Sequence, residues 1–336
     1  MKQLTDHIEI RKAIFNTTEK DFEALALRIF HFQHEHNSFY RQYCDILNID
    51  TSSICRLAQI PFLPIGFFKS KEISSTVFDP ELVFESSGTT GSINSKHFVK
   101  DAGLYEESFS KAFTIFYGDV TGYCIIGLLP SYLERKNSSL VYMVNDLIQR
   151  SGNKQSGFYL YDYEKLKKQL LENENNKQQT LLIGVTYALL DFFKANQLAL
   201  KYTIIMETGG MKGRREELTR SAIHKIINDR SGVNEVHSEY GMTELLSQAY
   251  SKRDGIFQCP PWMKILTRPE DDPLEIIENS NSAFVNGVVN VIDLANLFSC
   301  SFIATDDMGK LYKDGSFEIL GRLDNSDIRG CSLMLL

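Results

Sequence analysis

The sequence predicts an α/β domain followed by a β-rich part, and three observations carry that reading. Between residues 101 and 238 short apolar runs alternate with amphipathic segments of helical period, the pattern of parallel strands joined by crossover helices. After Glu244 the long helical segments stop, and short apolar runs separated by turn residues take over. With 336 residues, 43% of them hydrophobic and 24% charged, the chain can bury a sizeable core without disulfide staples.

Taken in order, Thr18 with Asp21 reads as a capping box ahead of an amphipathic run. In that run Phe22, Leu25, Ala26 and Ile29, then Phe39, Tyr43 and Ile46, keep helical spacing. Residues 61–66 (PFLPIG) break helix and are expected to form a linker. Residues 86–91 are a Gly/Ser/Thr loop. A helix over 101–117 stops at Gly118, and a buried strand over 123–129 closes at Pro130. Helix 138–150 has Gly152 past its end. Strand 158–161 and helix 163–171 lead into a polar loop, 173–179, expected to be mobile. Strand 181–185, helix 187–195, strand 203–206, helix 215–228 and strand 235–238 complete the α/β pattern. Short strands follow over 262–266, 284–291, 302–304, 310–312 and 317–320, the last two joined by Asp314-Gly315, a hairpin signal.

Composition narrows the function. The 36 Lys and Arg against 43 Asp and Glu give a net charge of −7, which argues against nucleic acid as a partner because phosphate-backbone binding runs on clustered cations. The start lacks an apolar signal core, and no run of about 18 apolar residues occurs, so a cytoplasmic protein with no stable membrane insertion is expected. Six cysteines, at 44, 55, 124, 259, 300 and 331, form no CxxC pair and read as reduced thiols.

Four loops could carry chemistry. Ser86-Ser87-Gly88-Thr89-Thr90-Gly91 combines glycines that let a backbone approach an anion with hydroxyl donors; it also suits a plain surface turn. It is not a Walker loop, and no GxGxxG occurs. Tyr240-Gly241-Met242-Thr243-Glu244 follows a predicted strand, at the carboxyl end where open α/β sheets bind ligands. There an aromatic could cover a base and a carboxylate could hold Mg²⁺ on phosphates. The same residues also suit a loop entering a helix with Glu244 in its first turn. In Thr305-Asp306-Asp307-Met308-Gly309, read as a turn, Asp307 could accept both ribose hydroxyls, although paired acids in a turn are usually just solvated. In Gly321-Arg322-Leu323-Asp324, Arg322 alone would read as a surface charge.

In this order the four loops resemble the adenylate-forming superfamily of acyl-CoA synthetases, luciferases and nonribosomal adenylation domains. The resemblance implies a phosphate-binding role for Ser86 to Gly91, a YGxTE motif at Tyr240 to Glu244, a ribose-binding Asp307 and a ribose- and phosphate-contacting Arg322. Gly209-Gly210 sits like the loop bordering adenine, and Asp324 like the hinge. Longer stretches, namely LPSYLERKNSSLVYMV, METGGMKGRREELTR, SEYGMTELLSQAYS and GRLDNSDIRGCSLM, resemble the acyl-protein synthetases, which include the synthetase component of the bacterial luminescence fatty-acid reductase. Phenylacetate-CoA ligases are more distantly similar.

That resemblance implies a large adenylate-forming domain, parallel-sheet α/β subdomains plus a β-rich lobe, without the usual small C-terminal domain and its lysine. The expected organisation is a helical segment over 1–78 packed on a main domain over 79–320, then a hinge stub and tail over 321–336. The Pro-Lys usual after the phosphate loop is lacking; Lys96 and His97 come five and six residues after Gly91. The implied activity is ATP- and Mg²⁺-dependent conversion of a fatty acid to acyl-adenylate. Glu244 would hold the metal, Thr243 the α-phosphate side, and Tyr240 would stack on adenine. Transfer to the Cys331 thiol, beside Arg329, would follow, supplying an acyl reductase. Rival readings are an acyl- or aryl-CoA ligase, with Cys331 idle, and a nonenzymatic adenylate-binding or scaffolding protein. Homo-oligomerisation stays open.

Other residues read as bland. His31, His34 and His36 lie on the first long helix with no cysteine at ligand spacing. His237 precedes the YGxTE-like loop and could support it from behind. Tyr132 and the aromatic stretch 187–193 suit core packing as well as an acyl tunnel.

Overall fold

The computed structural model describes residues 2–86, 93–129, 137–209, 218–278 and 282–323. Three helices open the chain: α1 (Lys2–Ile14), α2 (Glu19–His36) and α3 (Ser38–Ile46). Next come β1 (Leu63–Pro64), α4 (Phe67–Ser70) and the hairpin β2 (Leu82–Glu85) and β3 (Lys96–Val99). The alternating part runs α5 (Ala102–Tyr117), β4 (Cys124–Leu128), α6 (Ser139–Ser151), β5 (Gly157–Phe158), α7 (Tyr163–Asn175), β6 (Thr180–Val185), α8 (Thr186–Ala195), β7 (Thr203–Thr208), α9 (Arg220–Ser231) and β8 (His237–Tyr240). The β-rich part is β9 (Ala249–Ser251), β10 (Phe257–Gln258), β11 (Met263–Arg268), β12 (Phe284–Asp293), β13 (Phe302–Tyr312) and β14 (Phe317–Arg322).

Among the described residues one sheet unites the two parts, in the order β11-β12-β13-β14-β10-β9-β8-β7-β6-β4-β5. Strands β8, β7, β6, β4 and β5 pair in parallel with one another, and every junction from β8 to β11 is antiparallel. β4 and β6 are buried at every position, as parallel strands covered on both faces must be. The sequence supplies apolar residues there without alternation.

The opening helices pack against the antiparallel half. Ile29 and Phe30 of α2 are fully buried, and burying a side chain of that size contributes about 2 kcal/mol. Gln33 lies in the same interface. Its amide donates to the Asn296 and Leu297 carbonyls at 2.9 and 3.0 Å and accepts from the Ser301 amide at 2.9 Å. Left unpaired, it would cost about 1–3 kcal/mol. The α3 cap residue Asn37 accepts from the Tyr40 amide and donates to the Ser299 carbonyl.

Several boundaries correct the sequence reading. The expected linker 61–66 contains β1, whose Leu63 is fully buried and pairs with Ile303 in parallel register; proline is tolerated there because the strand is two residues long and at the side of the main path. The expected mobile loop 173–179 begins inside α7, and Asn173 is fully buried with its amide donating to the Thr180 hydroxyl. The two short strands expected over 302–304 and 310–312 are one strand, β13, so Thr305 to Gly309 is not a turn. β8 starts two residues later than expected and ends on Tyr240, and no helix follows Glu244. At α2 the Thr18 hydroxyl donates to Asp21 at 2.6 Å and caps no backbone amide.

No helix among the described residues is long and apolar enough to cross a membrane.

Candidate active site

In sequence the Ser/Thr/Gly loop joins β2 to β3. Ser87, Gly88, Thr89, Thr90 and Gly91 lie outside the described residues, but the root of the loop is defined. The Ser86 amide donates to the Ser95 carbonyl at 3.0 Å, and the Ser95 amide donates to the Ser86 hydroxyl at 2.8 Å. Lys96 turns back to Glu85, 3.7 Å away.

The 241–244 turn lies against this root. The His97 ring nitrogen Nδ1 is 2.9 Å from the Thr243 carbonyl, and burial pushes the imidazole down to about 4. The ring is therefore neutral at physiological pH, with Nδ1 as the donor. Glu244 is 5% exposed. Burial raises its pKa, while the Ser95 hydrogen bond and the nearby charges of Arg322 and Lys69 act the other way. Behind the turn, Asp293 accepts from the Leu246 and Ser247 amides, the Ser247 hydroxyl and the Ala295 amide at 2.6–3.1 Å. Burial still carries its carboxyl up to about 6.

Across the sheet, Asp307 on β13 and Arg322 on β14 are register partners. Arg322 Nε donates to Asp307 Oδ1 at 2.9 Å, and the Tyr240 hydroxyl donates to Oδ2 at 2.8 Å. The Tyr240 ring stands edge-on to Phe257 and Phe317, with centroids 5.9 and 5.5 Å away. A strand residue thus replaces the expected turn residue at position 307, because only in a strand does Asp307 fall directly opposite Arg322. Gly209 directly follows β7 with φ +73°, and its carbonyl accepts from the Thr186 hydroxyl. Gly210 lies outside the described residues, as do Tyr132, Asp324, Arg329 and Cys331.

The sequence-derived residues Ser86, Thr243, Glu244, Tyr240, Asp307 and Arg322 therefore form one neighbourhood at the carboxyl ends of β7 and β8. Gly241 belongs to it for a steric reason: a Cβ there would stand 2.5 Å from Glu239 Oε1.

Two acids were missed because the predicted strands 203–206 and 235–238 end before them. Glu207 accepts from Thr186, Ser238 and Arg220 at 2.8, 2.9 and 3.2 Å, with His224 at 3.7 Å. Burial pushes its pKa up, but the imidazole, the guanidinium and the hydroxyl together bring it below the usual value. Arg220 also donates to the Ile319 carbonyl at 3.1 Å and lies over the Phe257 ring. Glu239 accepts from the Thr208 hydroxyl, and burial carries it up to about 7. The signal that could have found them is strand period: extended by register, Glu207 pairs with Ser238 and Thr208 with Glu239.

His237 Nδ1 lies 3.1 Å from the Tyr117 hydroxyl, and the imidazole is pushed down to about 4, by burial first and then by Lys252 and His224. Residues 187, 188, 189, 190, 192 and 193 are buried in α8, which fits the core reading of that stretch. Among the described residues no group of three His, Cys, Asp or Glu side chains could hold a metal.

Solved structures share this fold. The 2-hydroxyisobutyryl-CoA ligase in the postadenylation state aligns over 93% of this chain and 70% of its own, at 11% identity and TM-score 0.63. ATP-bound MatB from Rhodopseudomonas palustris aligns over 74% of this chain and 50% of its own, at 17% identity and TM-score 0.53. The luciferase-like enzyme of the mealworm Zophobas morio aligns over 79% and 63%, at 15% identity and TM-score 0.50. The chain spans about half the length of the MatB structure it matches. No curated protein sequence matches it. Residues 12–336 match the family described as "Acyl-protein synthetase, LuxE", and the chain belongs to that family.

Proposed function

We propose that the chain activates a long-chain fatty acid with ATP and carries the acyl group as a thioester on its own Cys331, from which an acyl reductase takes it. The observation that supports this best is the grouping of Glu244, bonded by Ser95 and within reach of the Arg322 charge, with Asp307, which Arg322 and Tyr240 both hold, in a member of the acyl-protein synthetase family.

In the first half-reaction a carboxylate oxygen of the acid attacks the α-phosphorus of ATP. The bond to the bridging oxygen breaks, and pyrophosphate leaves with that electron pair. Such a step depends on positioning and on charge stabilisation. The hydroxyls and amides of Ser86 to Gly91 would hold the β- and γ-phosphates, and Thr243 the α-phosphate side. Asp307 would exchange its present partners for ribose hydroxyls, releasing Arg322 toward ribose and phosphate. Tyr240, Gly209 and Gly210 would border adenine, with Gly241 keeping the turn clear of side chain. In the second half-reaction the Cys331 thiolate attacks the acyl carbonyl carbon, the bond to the AMP oxygen breaks, and AMP leaves. Arg329, two residues away, would favour the thiolate.

Mg²⁺ fits Glu244, because that ion takes one or two carboxylates and fills its remaining positions with phosphate oxygens and water. When bound, it would offset phosphate charge. A buried carboxyl whose ionised form is disfavoured gains most from such a cation.

The test is pyrophosphate release and intact mass after incubation with ATP, Mg²⁺ and a panel of fatty acids, with and without CoA. Acid-dependent release and a mass gain of one acyl group are expected. Cys331→Ser should lose the mass gain and keep acyl-AMP formation; Glu244→Gln should depress pyrophosphate release itself. Acylation that survives Cys331→Ser, or a thioester formed only on added CoA, overturns the reading.

A further inference from the structure

We propose that His97 is a positioning residue that locks the β2–β3 hairpin, whose strands flank the Ser/Thr/Gly loop in sequence, to the Thr243–Glu244 turn. The proposal rests on the reading of that loop and turn as phosphate and metal contacts.

β2 and β3 pair with each other in a separate two-stranded sheet, and among the described residues no strand of the main sheet extends it. A two-stranded hairpin is marginal by itself; here Phe84 packs on Tyr105 and Tyr142 and the Glu85 amide donates to the Asn137 carbonyl, and Ser95 and His97 add the links that aim the hairpin at the turn. Side chains alternate along β3: Lys96 is exposed, His97 buried, Phe98 half-buried and Val99 buried. Ser95 and His97 therefore lie on one side, the side toward the turn. Ser95 hydrogen-bonds the Glu244 carboxyl. His97 instead meets a backbone atom, the Thr243 carbonyl, at 2.9 Å, while Phe68 packs edge-on to its ring with centroids 6.0 Å apart. A carbonyl only accepts, so Nδ1 carries the hydrogen.

The two links differ in what a ligand does to them. A cation or phosphate arriving at the Glu244 carboxyl competes directly with Ser95. The Thr243 carbonyl belongs to the turn's own backbone, so the His97 bond can persist while Ser95 lets go. Fixing that carbonyl fixes the peptide plane between Thr243 and Glu244, and thereby the direction in which both side chains leave the turn.

Three substitutions at one position isolate the donor. His97→Asn keeps an amide hydrogen where Nδ1 stands, His97→Gln moves it toward the place of Nε2, and His97→Phe keeps a ring without a donor. Hydrogen exchange of the ligand-free protein is read first. His97→Phe and His97→Gln should speed exchange in both residues 82–86 and residues 240–245, and His97→Asn should leave both near wild type. Kinetics come second. Loss of one neutral hydrogen bond is about tenfold, so KM for ATP in pyrophosphate release should rise about that much in His97→Phe and His97→Gln. KM for the fatty acid should stay unchanged. If His97→Phe fails to fold, the contrast between Asn and Gln carries the test alone. Wild-type exchange and KM in His97→Gln, or equal losses in Asn and Gln, overturn the proposal. Absence of any acid-dependent pyrophosphate release in wild type would sink the activity instead, and the exchange contrast would still decide whether His97 locks the hairpin.

Discussion

Glu207 and Glu239 stand one pairing step apart on neighbouring strands, at 7% and 8% exposure, yet burial leaves them in opposite states. Ser238 shares a face with Glu207, and Thr208 with Glu239, so the two acids point to opposite sides of the sheet. On the first side a guanidinium, an imidazole and two hydroxyls converge on Glu207 and keep it ionised. On the second, Glu239 meets the Thr208 hydroxyl and lies near the phenols of Tyr105, Tyr117 and Tyr250, whose own pKa values it helps raise. Depth is the same, so the partners decide the charge. The face bearing Glu207 also bears Tyr240, whose partners are Asp307 and, through it, Arg322. Ionic groups and the candidate nucleotide contacts therefore share one side.

The largest expected effect lies on that ionic side. Glu207→Ala leaves Arg220 and His224 beside an empty site, and breaking a buried charge pair costs about 3–5 kcal/mol. Urea unfolding measures it. Glu207→Gln should cost less, because an amide oxygen in the Oε1 position still accepts from Ser238 and Arg220 while the amide nitrogen can donate to the Thr186 hydroxyl. If Glu207→Ala costs no more than Glu239→Ala, the contrast between the two faces is one of packing and not of charge.

This contrast was only partly legible in the sequence. The alternation between residues 101 and 238 gave the parallel half because each helix and strand there carries its own period. The YGxTE-like segment stood out because its residues are contiguous. Asp307 and Arg322 were found as separate loops, yet they act as a pair, since pairing across β13 and β14 is a matter of register that one chain segment does not encode. Glu207 and Glu239 were invisible for a related reason. A carboxylate at a strand end ordinarily signals that the strand has stopped, and here hydroxyls on the neighbouring strands keep it inside.

A second prediction sharpens the contrast through pH. The folded Glu239 carboxyl, at about 7, binds its proton more tightly than the same group in the unfolded chain, near 4.3. The folded state therefore holds more protons between those values, and stability falls as pH rises through that window. Asp293 acts in the same direction, whereas His97 and His237, both lowered, act in the other. Comparing wild type with Glu239→Gln cancels those common contributions. The variant should be more stable by on the order of 3–4 kcal/mol above about pH 7, with the gain shrinking toward zero as pH falls below 4.5. A gain independent of pH would mean that Glu239 is not neutralised by burial.

The smallest effect tests whether the two faces meet at Gly241. A Cβ on this residue would lie 2.5 Å from Glu239 Oε1 and 3.3 Å from Gln248 Cγ. The nearer atom is the end of a side chain, so it can move, but moving it strains the bond to Thr208 in a closely packed site. Gly241→Ala should therefore cost about 1 kcal/mol, the low end for overpacking. Removing the obstructing carboxyl removes the reason for the cost, so in a Glu239→Ala background the same substitution should be close to neutral. The coupling energy from this double-mutant cycle is then also about 1 kcal/mol. An equal cost in both backgrounds would trace the penalty to the turn's backbone. The neutral face would then be free to vary without disturbing the turn that carries Thr243 and Glu244.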